Sequence, residues 1–174
     1  VSLFEKNEKI GKKLYLTGKG RCNITNASDV ESIISHTINN PRFLKSALYS
    51  FSPDDVITFF NSNGLKTKVE RGNRVFPESD KSSDVIKALI CKLDTLRVDV
   101  RLKQKIHSIE KTSDYFLLND KHKFDSLILA TGGLSYPSTG SDGDGYVFSE
   151  KFGHSIIKPL AGLSGICLQE NVKE

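Results

Sequence analysis

The chain has 174 residues, 37% of them hydrophobic and 26% charged, and its 25 basic and 21 acidic side chains leave a formal charge of +4. At roughly 150 residues per domain, this length suits one domain with a small additional lobe. The composition excludes a disordered chain, and no apolar run approaches the roughly 20 residues that a membrane-spanning helix needs.

Charge and cysteine usage indicate which partners, covalent links and cellular location to expect. Lysines and arginines are spread along the chain, which favours a mildly basic surface over a nucleic-acid partner. Cys22, Cys91 and Cys167 lie far apart without CxxC spacing, so neither a disulfide framework nor a metal site is indicated. No apolar leader follows Val1. We therefore expect a cytoplasmic protein that binds neither nucleic acid nor membrane.

A strand over residues 1–4 is the first predicted element, and it ends at the acidic residue Glu5. The sequence has no methionine, so we expect a fragment whose preceding strand and glycine loop lie upstream of Val1. A second apolar patch leads into Gly18 and Gly20, where the backbone is expected to turn sharply or to approach a ligand.

Residues 28–63 are predicted to form a helical insertion. Capping boxes begin at Ser28 and Ser52, and residues 42–49 between them carry apolar residues at helical spacing. Gly64 is suited to end the last of these helices.

Short strands and one long helix are predicted next. Residues 66–76 indicate a hairpin, and Ser83 or Asp84 is expected to cap a helix that runs to about Leu96. A small antiparallel meander is predicted from three strands, at residues 98–102, 105–111 and 115–119.

Residues 124–130 are predicted to form a buried parallel strand because they end in a near-continuous apolar run. A Thr-Gly-Gly sequence ends this strand at Gly133. A second glycine-rich loop then feeds a final helix over residues 146–152, which Gly153 is suited to cap.

Each of the three glycine-rich loops follows an apolar segment, which is where open α/β sheets bind ligands. The loop at Gly18 lacks the pattern of a nucleoside-triphosphate loop, and Asn23 stands where a G-x-G-x-x-G fingerprint needs its third glycine. Glu5 matches the acidic residue that follows such a fingerprint and binds a ribose hydroxyl. An ordinary solvated carboxylate is the alternative for Glu5.

Other positions keep two interpretations open. Arg21, beside two glycines, could bind a phosphate or a cofactor ring, and Cys22 is either redox-active or a buried structural residue. The end of the predicted strand at residues 130–132 either lets the backbone approach a cofactor or is only a tight turn. The loop over residues 139–145 either offers N–H groups to an anion or only caps a helix. The histidines are scattered, so no catalytic acid or base is assigned.

Residues 5–13 and 17–26 closely resemble the aminoacetone-oxidase-like family of FAD-binding flavoproteins, which includes bile-acid reductases and NAD(P)/FAD-dependent oxidoreductases. Further matching segments follow in the same order: Arg74-Val75-Phe76-Pro77, Ser79-Asp80-Lys81, Ala130-Thr131-Gly132-Gly133-Leu134-Ser135-Tyr136-Pro137, Thr139-Gly140-Ser141 and Gly143-Asp144-Gly145-Tyr146.

The resemblance implies an α/β fold, a glutathione-reductase-like FAD-binding Rossmann domain with a parallel sheet, a small antiparallel meander and the helical insertion. By the same analogy Glu5 binds the adenosine ribose, the backbone around Ile106 meets the adenine, and the loop from Gly18 to Asn23 lies near the pyrophosphate and flavin. Lys19 departs from the small residue usual in the family, and either crowds the flavin or points to solvent.

The resemblance also implies a set of cofactor-binding residues, with neither a catalytic residue nor a metal ligand assigned. They are Glu5, Lys6, Lys13, Thr17, Gly18, Gly20, Arg21, Cys22, Asn23, Ile106, Ala130, Thr131, Gly132, Gly133, Gly140 and Asp144.

The expected organisation is a partial FAD-binding domain over residues 1–158, truncated at both ends, with residues 159–174 beginning a connection to a substrate domain. The intact protein is expected to be an FAD-dependent oxidoreductase that acts on a small molecule, with NAD(P)H as a candidate electron donor. The fragment alone is expected to bind FAD weakly and to be inactive. The alternatives are a non-catalytic fragment or basic binding module, and an NAD-dependent dehydrogenase.

Overall fold

The computed structural model describes residues 1–160, and these divide into two compact units, the first ending at Asp125 and the second beginning at Ser126. Cys167 and nearly all of the predicted connection over residues 159–174 lie outside the described residues.

The first unit contains most of the regular structure. In chain order its elements are β1 (Ser2–Phe4), a 3₁₀ segment (Leu14–Gly20), β2 (Thr25–Asn26), α1 (Val30–Ser35), α2 (Pro41–Ser50), α3 (Pro53–Ser62), β3 (Thr67–Glu70), β4 (Arg74–Pro77), α4 (Ser82–Thr95), β5 (Asp99–Arg101), β6 (Ile109–Lys111), β7 (Phe116–Leu118) and β8 (His122–Phe124).

A parallel pair is formed by β1 and β5, with Ser2 opposite Asp99 and Phe4 opposite Arg101. Parallel strands need a long crossover connection, usually through a helix, and α4 directly precedes β5. The prediction that residues 98–102 belong to the antiparallel meander is therefore wrong. Their hydrogen-bonding partner is a strand almost a hundred residues earlier, which local sequence patterns do not reveal.

The predicted hairpin is present. β3 and β4 pair antiparallel, and β2 adds to the free edge of β4, giving the strand order β2-β4-β3. The turn at residues 71–73 places both Gly72 and Asn73 at positive φ, a conformation that glycine and asparagine adopt at least cost.

The predicted helices over residues 28–63 are present as α1, α2 and α3, but α1 begins differently. Asp29 is its N-cap, accepting a hydrogen bond from the Ser32 amide at 2.7 Å. The predicted cap Ser28 is engaged elsewhere, because its hydroxyl accepts a hydrogen bond from the Asn73 amide group in the hairpin turn. The second capping box, Ser52 with Asp55, is confirmed at α3.

The start of α4 also corrects the sequence prediction. Lys81 is the N-cap and has extended backbone, but its side chain makes no capping hydrogen bond. Ser83 and Asp84, predicted as caps, therefore lie inside the helix. Ser82 is buried at its first position, so tertiary packing rather than a side-chain cap accompanies the start of this helix.

The core of the first unit forms where α4 meets α3 and the segment after the 3₁₀ turn. Its buried members are Cys22, Phe60, Leu65, Val85 and Ala88. Val85 and Ala88 belong to the apolar stripe predicted for this helix, and burying such a stripe supplies most of a helix's stability in a protein.

The antiparallel meander is present but shifted along the chain. It consists of β6, β7 and β8, with Ile109 opposite Leu118 and Phe116 opposite Phe124. Phe124, predicted to start the buried parallel strand, instead ends the third strand of the meander. The turn at Asn119 and Asp120, both at positive φ, returns the chain alongside β7.

The second unit departs from the prediction at its start. Residues 126–136 contain no strand, and the Ile128 side chain is 88% exposed. The prediction of a buried strand to residue 130 is therefore wrong for the described structure. A strand requires a hydrogen-bonded neighbour, and no strand in the described part of this unit pairs with these residues. The predicted final helix is confirmed as α5 (Asp144–Lys151), followed by Gly153 at positive φ.

Among residues 1–160, no helix has the length and apolarity needed to cross a membrane.

Candidate functional site

Glu5 lies directly after the carboxyl end of β1. Its amide donates to the Arg101 carbonyl at 2.9 Å, which continues the pairing with β5 by one residue. Its carboxylate oxygen Oε1 accepts hydrogen bonds from the backbone amide and side-chain amide of Asn7, both at 2.8 Å. These bonds hold the carboxylate, which is partly exposed, at the edge of the parallel pair.

The backbone between β5 and Ile106 begins at the same edge of the parallel pair, beside Glu5. The Gln104 amide donates to the Glu5 carbonyl at 3.0 Å, and the Lys103 amide donates to the Asn7 carbonyl at 2.9 Å. Glu5 and the backbone before Ile106 are therefore neighbours, although a hundred residues separate them in sequence. Both follow the carboxyl ends of parallel strands, the edge at which open α/β sheets bind ligands.

The glycine loop from Thr17 to Asn23 has left-handed backbone at Gly18, Lys19 and Gly20 and again at Cys22. A Cβ atom on Gly18 would lie 3.0 Å from the Asn23 amide nitrogen and 3.1 Å from a ring carbon of Phe76, so glycine is needed at this position. The amides of Arg21 and Cys22 donate to the carbonyls of Gly18 and Thr17. The loop is thus a compact turn with a defined conformation.

Side chains of this loop point in different directions. Cys22 is only 2% exposed and lies in the core, so its thiol is enclosed by apolar side chains. Lys19 is exposed. Asn23, with its amide nitrogen facing the Thr25 and Val75 carbonyls, donates to both at 3.1 Å and joins the loop to β4. Thr17, inside the 3₁₀ segment, donates its hydroxyl hydrogen to the Leu14 carbonyl.

Arg21 is engaged by two carboxylates and one ring. Its Nη2 lies 2.5 Å from Glu70 Oε1 and 2.5 Å from Asp80 Oδ1, and its Nε donates to Asp80 at 2.8 Å. The guanidinium lies 4.1 Å from the centre of the Phe76 ring. Hydrogen bonds from Arg21 lower the pKa of Glu70, and those from Lys68 and Arg21 lower the pKa of Asp80. The pKa of Arg21 is raised by the same partners.

In the second unit, residues 131–134 pack closely on the glycine-rich loop before α5. A Cβ atom on Gly132 would lie 2.7 Å from Ser141 Oγ, and one on Gly145 would overlap Thr131 Oγ1. These glycines therefore leave room for the side chains of Ser141 and Thr131. Ala130 and Thr131 are exposed, and Gly133 is partly buried.

The remaining sequence-predicted residues lie at turns. Gly140 is at positive φ and ends the 3₁₀ turn Pro137–Thr139, while Asp144 is the first residue of α5. Lys13 precedes the 3₁₀ segment of the first unit, and Lys6 lies two residues beyond β1. The structure thus brings together Glu5 and the Ile106 segment, and separately Thr131 to Gly133 with the loop before α5.

The first unit suits a nucleotide cofactor in one respect. The Glu5 carboxylate is held at a sheet edge beside the backbone that follows β5, the position at which Rossmann domains bind a ribose and its base. A carboxylate accepts hydrogen bonds from hydroxyl groups. The described residues contain no cluster of three or more His, Cys, Asp or Glu side chains able to hold a metal ion.

Sequence reasoning missed Glu70 and Asp80 as partners of the glycine loop. Asp80 stands in the family-like segment after Pro77, which was a signal that the position has a specific role. Glu70 carried no signal, because a glutamate on a hairpin strand is ordinary. Their pairing with Arg21 spans 49 and 59 residues of sequence.

A parallel strand pair joined through helices, with an acidic residue at the carboxyl end of the first strand, defines a Rossmann-type α/β domain. Comparison with known proteins identifies the particular kind. The chain belongs to a family of FAD-binding domains, the HI0933-like protein Rossmann domain, which matches residues 1–172. The resemblance found in the sequence is confirmed.

Three curated relatives align with most or all of the chain. A 3-dehydro-bile acid delta(4,6)-reductase from Clostridium scindens is 34% identical over 94% of the chain and 40% of its own length. A ribosomal RNA dihydrouridine synthase from Escherichia coli is 30% identical over 100% of the chain and 44% of its own length. A second one, from Haemophilus influenzae, is 29% identical over 99% of the chain and 44% of its own length. The chain spans less than half the length of these relatives. The relatives named here are oxidoreductases, and an FAD-binding Rossmann family implies a flavin cofactor.

Proposed function

We propose that this chain is the cofactor-binding part of an FAD-dependent oxidoreductase with a glutathione-reductase-like FAD domain. One observation carries the proposal. Glu5 and the backbone leading to Ile106 are joined by hydrogen bonds of 2.9 to 3.0 Å at the carboxyl edge of the parallel pair, where Rossmann domains bind the adenosine half of a dinucleotide.

Within this proposal the predicted residues take complementary roles. Glu5 accepts hydrogen bonds from the ribose hydroxyls, and the backbone near Ile106 lies against the adenine. The loop from Thr17 to Asn23, with Lys6 and Lys13 before it, approaches the pyrophosphate and the ring. Ala130 to Gly133, Gly140 and Asp144, which belong to the second unit, are further cofactor contacts that the family resemblance implies. Bound FAD supplies hydride transfer, and the protein supplies position and electrostatics.

The relatives' names favour one reaction class for the whole protein. A dihydrouridine product and a 3-dehydro-delta(4,6) substrate are both consistent with reduction of a carbon–carbon double bond conjugated to a carbonyl. A hydride added to the carbon remote from the carbonyl and a proton added to the adjacent carbon complete that reduction. We propose this class, with NAD(P)H as the electron donor. The active-site acid and base are not assigned among the described residues.

Two substrate types fit this chemistry. A small unsaturated ketone agrees with the sequence-based expectation and with the reductase relative, which aligns at 34% identity. A uridine in RNA is the second candidate, favoured by two relatives named ribosomal RNA dihydrouridine synthases. Nucleic acid would then be a partner, contrary to the expectation drawn from charge.

The test uses the full-length protein. Heat denaturation should release a yellow chromophore with the absorption and chromatographic mobility of FAD. Anaerobic NADH or NADPH should bleach the bound flavin, and reoxidation by an unsaturated 3-keto steroid or by a uridine-containing RNA transcript distinguishes the two substrates. A colourless protein that gains no flavin on reconstitution would contradict the proposal, and would favour a binding module or a nicotinamide-only dehydrogenase.

A further inference from the structure

Arg21 is the residue of the glycine loop with the most extensive contacts to the neighbouring sheet. Its guanidinium reaches Glu70 on β3 and Asp80 before α4, and it stacks on Phe76 of β4. Lys68 of β3 binds the same two carboxylates, at 2.6 Å from Asp80 and 3.5 Å from Glu70. We call Arg21, Lys68, Glu70 and Asp80 the charge quartet.

The charge quartet is electrically balanced, with two cations and two carboxylates. The Arg21 donors Nε and Nη2 point to these carboxylates, and a guanidinium that is already paired in this way offers a weak field to an additional phosphate. A direct phosphate contact could use only Nη1, which these hydrogen bonds do not involve, and would have to form beside both carboxylates, whose negative charge opposes it. The arrangement instead has the form of a clamp, because the planar fork of arginine fits two carboxylates at once.

The clamp acts on the backbone of the glycine loop. Phe76, which lies under the Arg21 guanidinium, also bounds the space beside Gly18, where a Cβ atom would come within 3.1 Å of the ring. Cys22, the next residue, is fixed in the core. The left-handed turn at residues 18–20 is therefore held from the hairpin side by Arg21 and Phe76 and from the core side by Cys22.

We propose that Arg21 is a positioning residue, which sets the conformation of the glycine loop through Glu70 and Asp80 and does not itself bind the cofactor. This rests on the proposed function, in which the loop approaches the pyrophosphate and the flavin. It replaces the direct cofactor contact expected from the sequence.

The test measures FAD affinity and the visible circular dichroism of bound flavin in the full-length protein. Arg21→Lys and Asp80→Asn should each weaken FAD binding by about threefold to tenfold, and the double variant should be no weaker than the worse single one, because all three changes break one unit. Both single variants should alter the flavin dichroism in the same direction. Lysine keeps the charge of Arg21 but not its fork.

A direct phosphate contact predicts a different pattern. Asp80→Asn would then free the guanidinium and leave FAD binding unchanged or tighter, and Arg21→Lys would retain most of the affinity; either result overturns the proposal. Arg74→Ala, which removes an arginine 5.8 Å from the same ring, and Asp84→Asn, in the first turn of α4, are the controls and should bind FAD as the wild type does. A wild-type protein without FAD contradicts the proposed function itself, whereas an unaffected Asp80→Asn variant contradicts only this inference.

Discussion

At the scale of single residues, the candidate site depends on side chains whose surroundings give them defined geometry. Glu5 is held by the two amide groups of Asn7, so its carboxylate is oriented before any ligand arrives. Preorganisation of this kind reduces the entropy lost on binding. Arg21, by contrast, donates hydrogen bonds from Nε and Nη2 to Asp80 and Glu70. Two polar residues with similar sequence signals thus have different expected roles.

Replacing Glu5 tests the first of these roles. We expect Glu5→Ala to weaken FAD binding to the full-length protein by about tenfold or more, because hydrogen bonds to a charged group contribute about 1.5–3 kcal/mol. Fluorescence titration of the apoprotein with FAD measures this. Glu8→Ala is the matched control, since Glu8 is an exposed carboxylate of the same loop that pairs with Lys12 at 3.8 Å. Equal affinities for the two variants would remove Glu5 from the site.

The surroundings of His122 predict that the stability of the fold depends on pH near neutrality. Burial first and the Arg101 charge second lower the pKa of His122, and its ring packs against Phe4 while Nδ1 lies 3.0 Å from Arg101. The folded state therefore favours the neutral imidazole of His122, because its pKa lies below the ordinary value of about 6.5. The contribution of this group to the free energy of unfolding is complete above that pH and is lost as the pH falls through the folded pKa.

Urea unfolding between pH 7.5 and 5 measures this loss. The wild-type midpoint should fall across the range, and His122→Phe should show a smaller decrease. His107→Gln, which changes an exposed histidine of the same region, should keep the wild-type profile. The same decrease in the wild type and in His122→Phe would assign the effect to another group.

At the scale of elements, helix ends and loop packing follow local chemistry where no distant partner competes. In α3, Ser52 and Asp55 cap each other's backbone amides, as their spacing predicts. In α1 the serine at the predicted cap is taken by Asn73 of the hairpin turn, and Asp29 caps the helix instead. A tertiary hydrogen bond therefore shifted the helix start by one residue.

The α3 cap can be tested by stability. Ser52→Ala should lower the free energy of unfolding by about 1 kcal/mol, since it removes the acceptor for the Asp55 amide. Chemical denaturation measures the change. Thr58→Ala, at an exposed position within the same helix, should be neutral or slightly stabilising because alanine has the higher helix propensity. A Ser52 variant as stable as the Thr58 variant would mean that the cap contributes nothing.

Loop packing in the second unit gives another prediction. Gly145→Ala would place a methyl group on Thr131 Oγ1 and so displace this exposed side chain. We expect the contact between residues 131–134 and α5 to weaken by at most about 1 kcal/mol, because the helix propensity of alanine offsets part of the clash. Hydrogen exchange of the α5 amides measures the loss. Val147→Ala, at a position of α5 that is 66% exposed, is the control and should leave the protection of the helix amides unchanged. Protection in α5 that is unchanged by Gly145→Ala would contradict the close packing.

At the scale of the whole molecule, ion pairs set the response to acid. Hydrogen bonds or nearby cations lower the pKa of Glu8, Asp55, Glu70, Asp80 and Asp99. Their stabilisation is present above the ordinary carboxyl values near pH 4 and is lost as the pH falls through the lower folded values.

Acid titration checks the combined effect. The urea midpoint should decrease between about pH 5 and pH 2, and the variant Glu70→Gln/Asp80→Asn should lose less over this range because two of the groups no longer titrate. Glu78→Gln, a nearby carboxylate outside the charge quartet, serves as the control and should retain the wild-type slope. A wild-type midpoint that stays constant to pH 2 would contradict the directions of these pKa shifts.

Much of this molecule was predictable from its sequence because the signals are local. The hairpin at residues 67–77, the helices between residues 30 and 62 and helix α5 depend on turn residues, caps and periodicity within a few positions. The family resemblance also rests on contiguous motifs such as Gly-Arg-Cys-Asn, and it is confirmed over residues 1–172.

Pairings across long sequence separations were decided only by the tertiary structure. β5 joined β1 rather than the meander, residues 126–130 found no strand partner in their unit, and Arg21 found carboxylates 49 and 59 residues away. The amino-acid sequence by itself determined which segments can be strands or helices and which family the chain belongs to. Which strands pair and which charges meet depended on the folded arrangement, because hydrogen bonds and ion pairs form between groups that are close in space, whatever their distance along the chain.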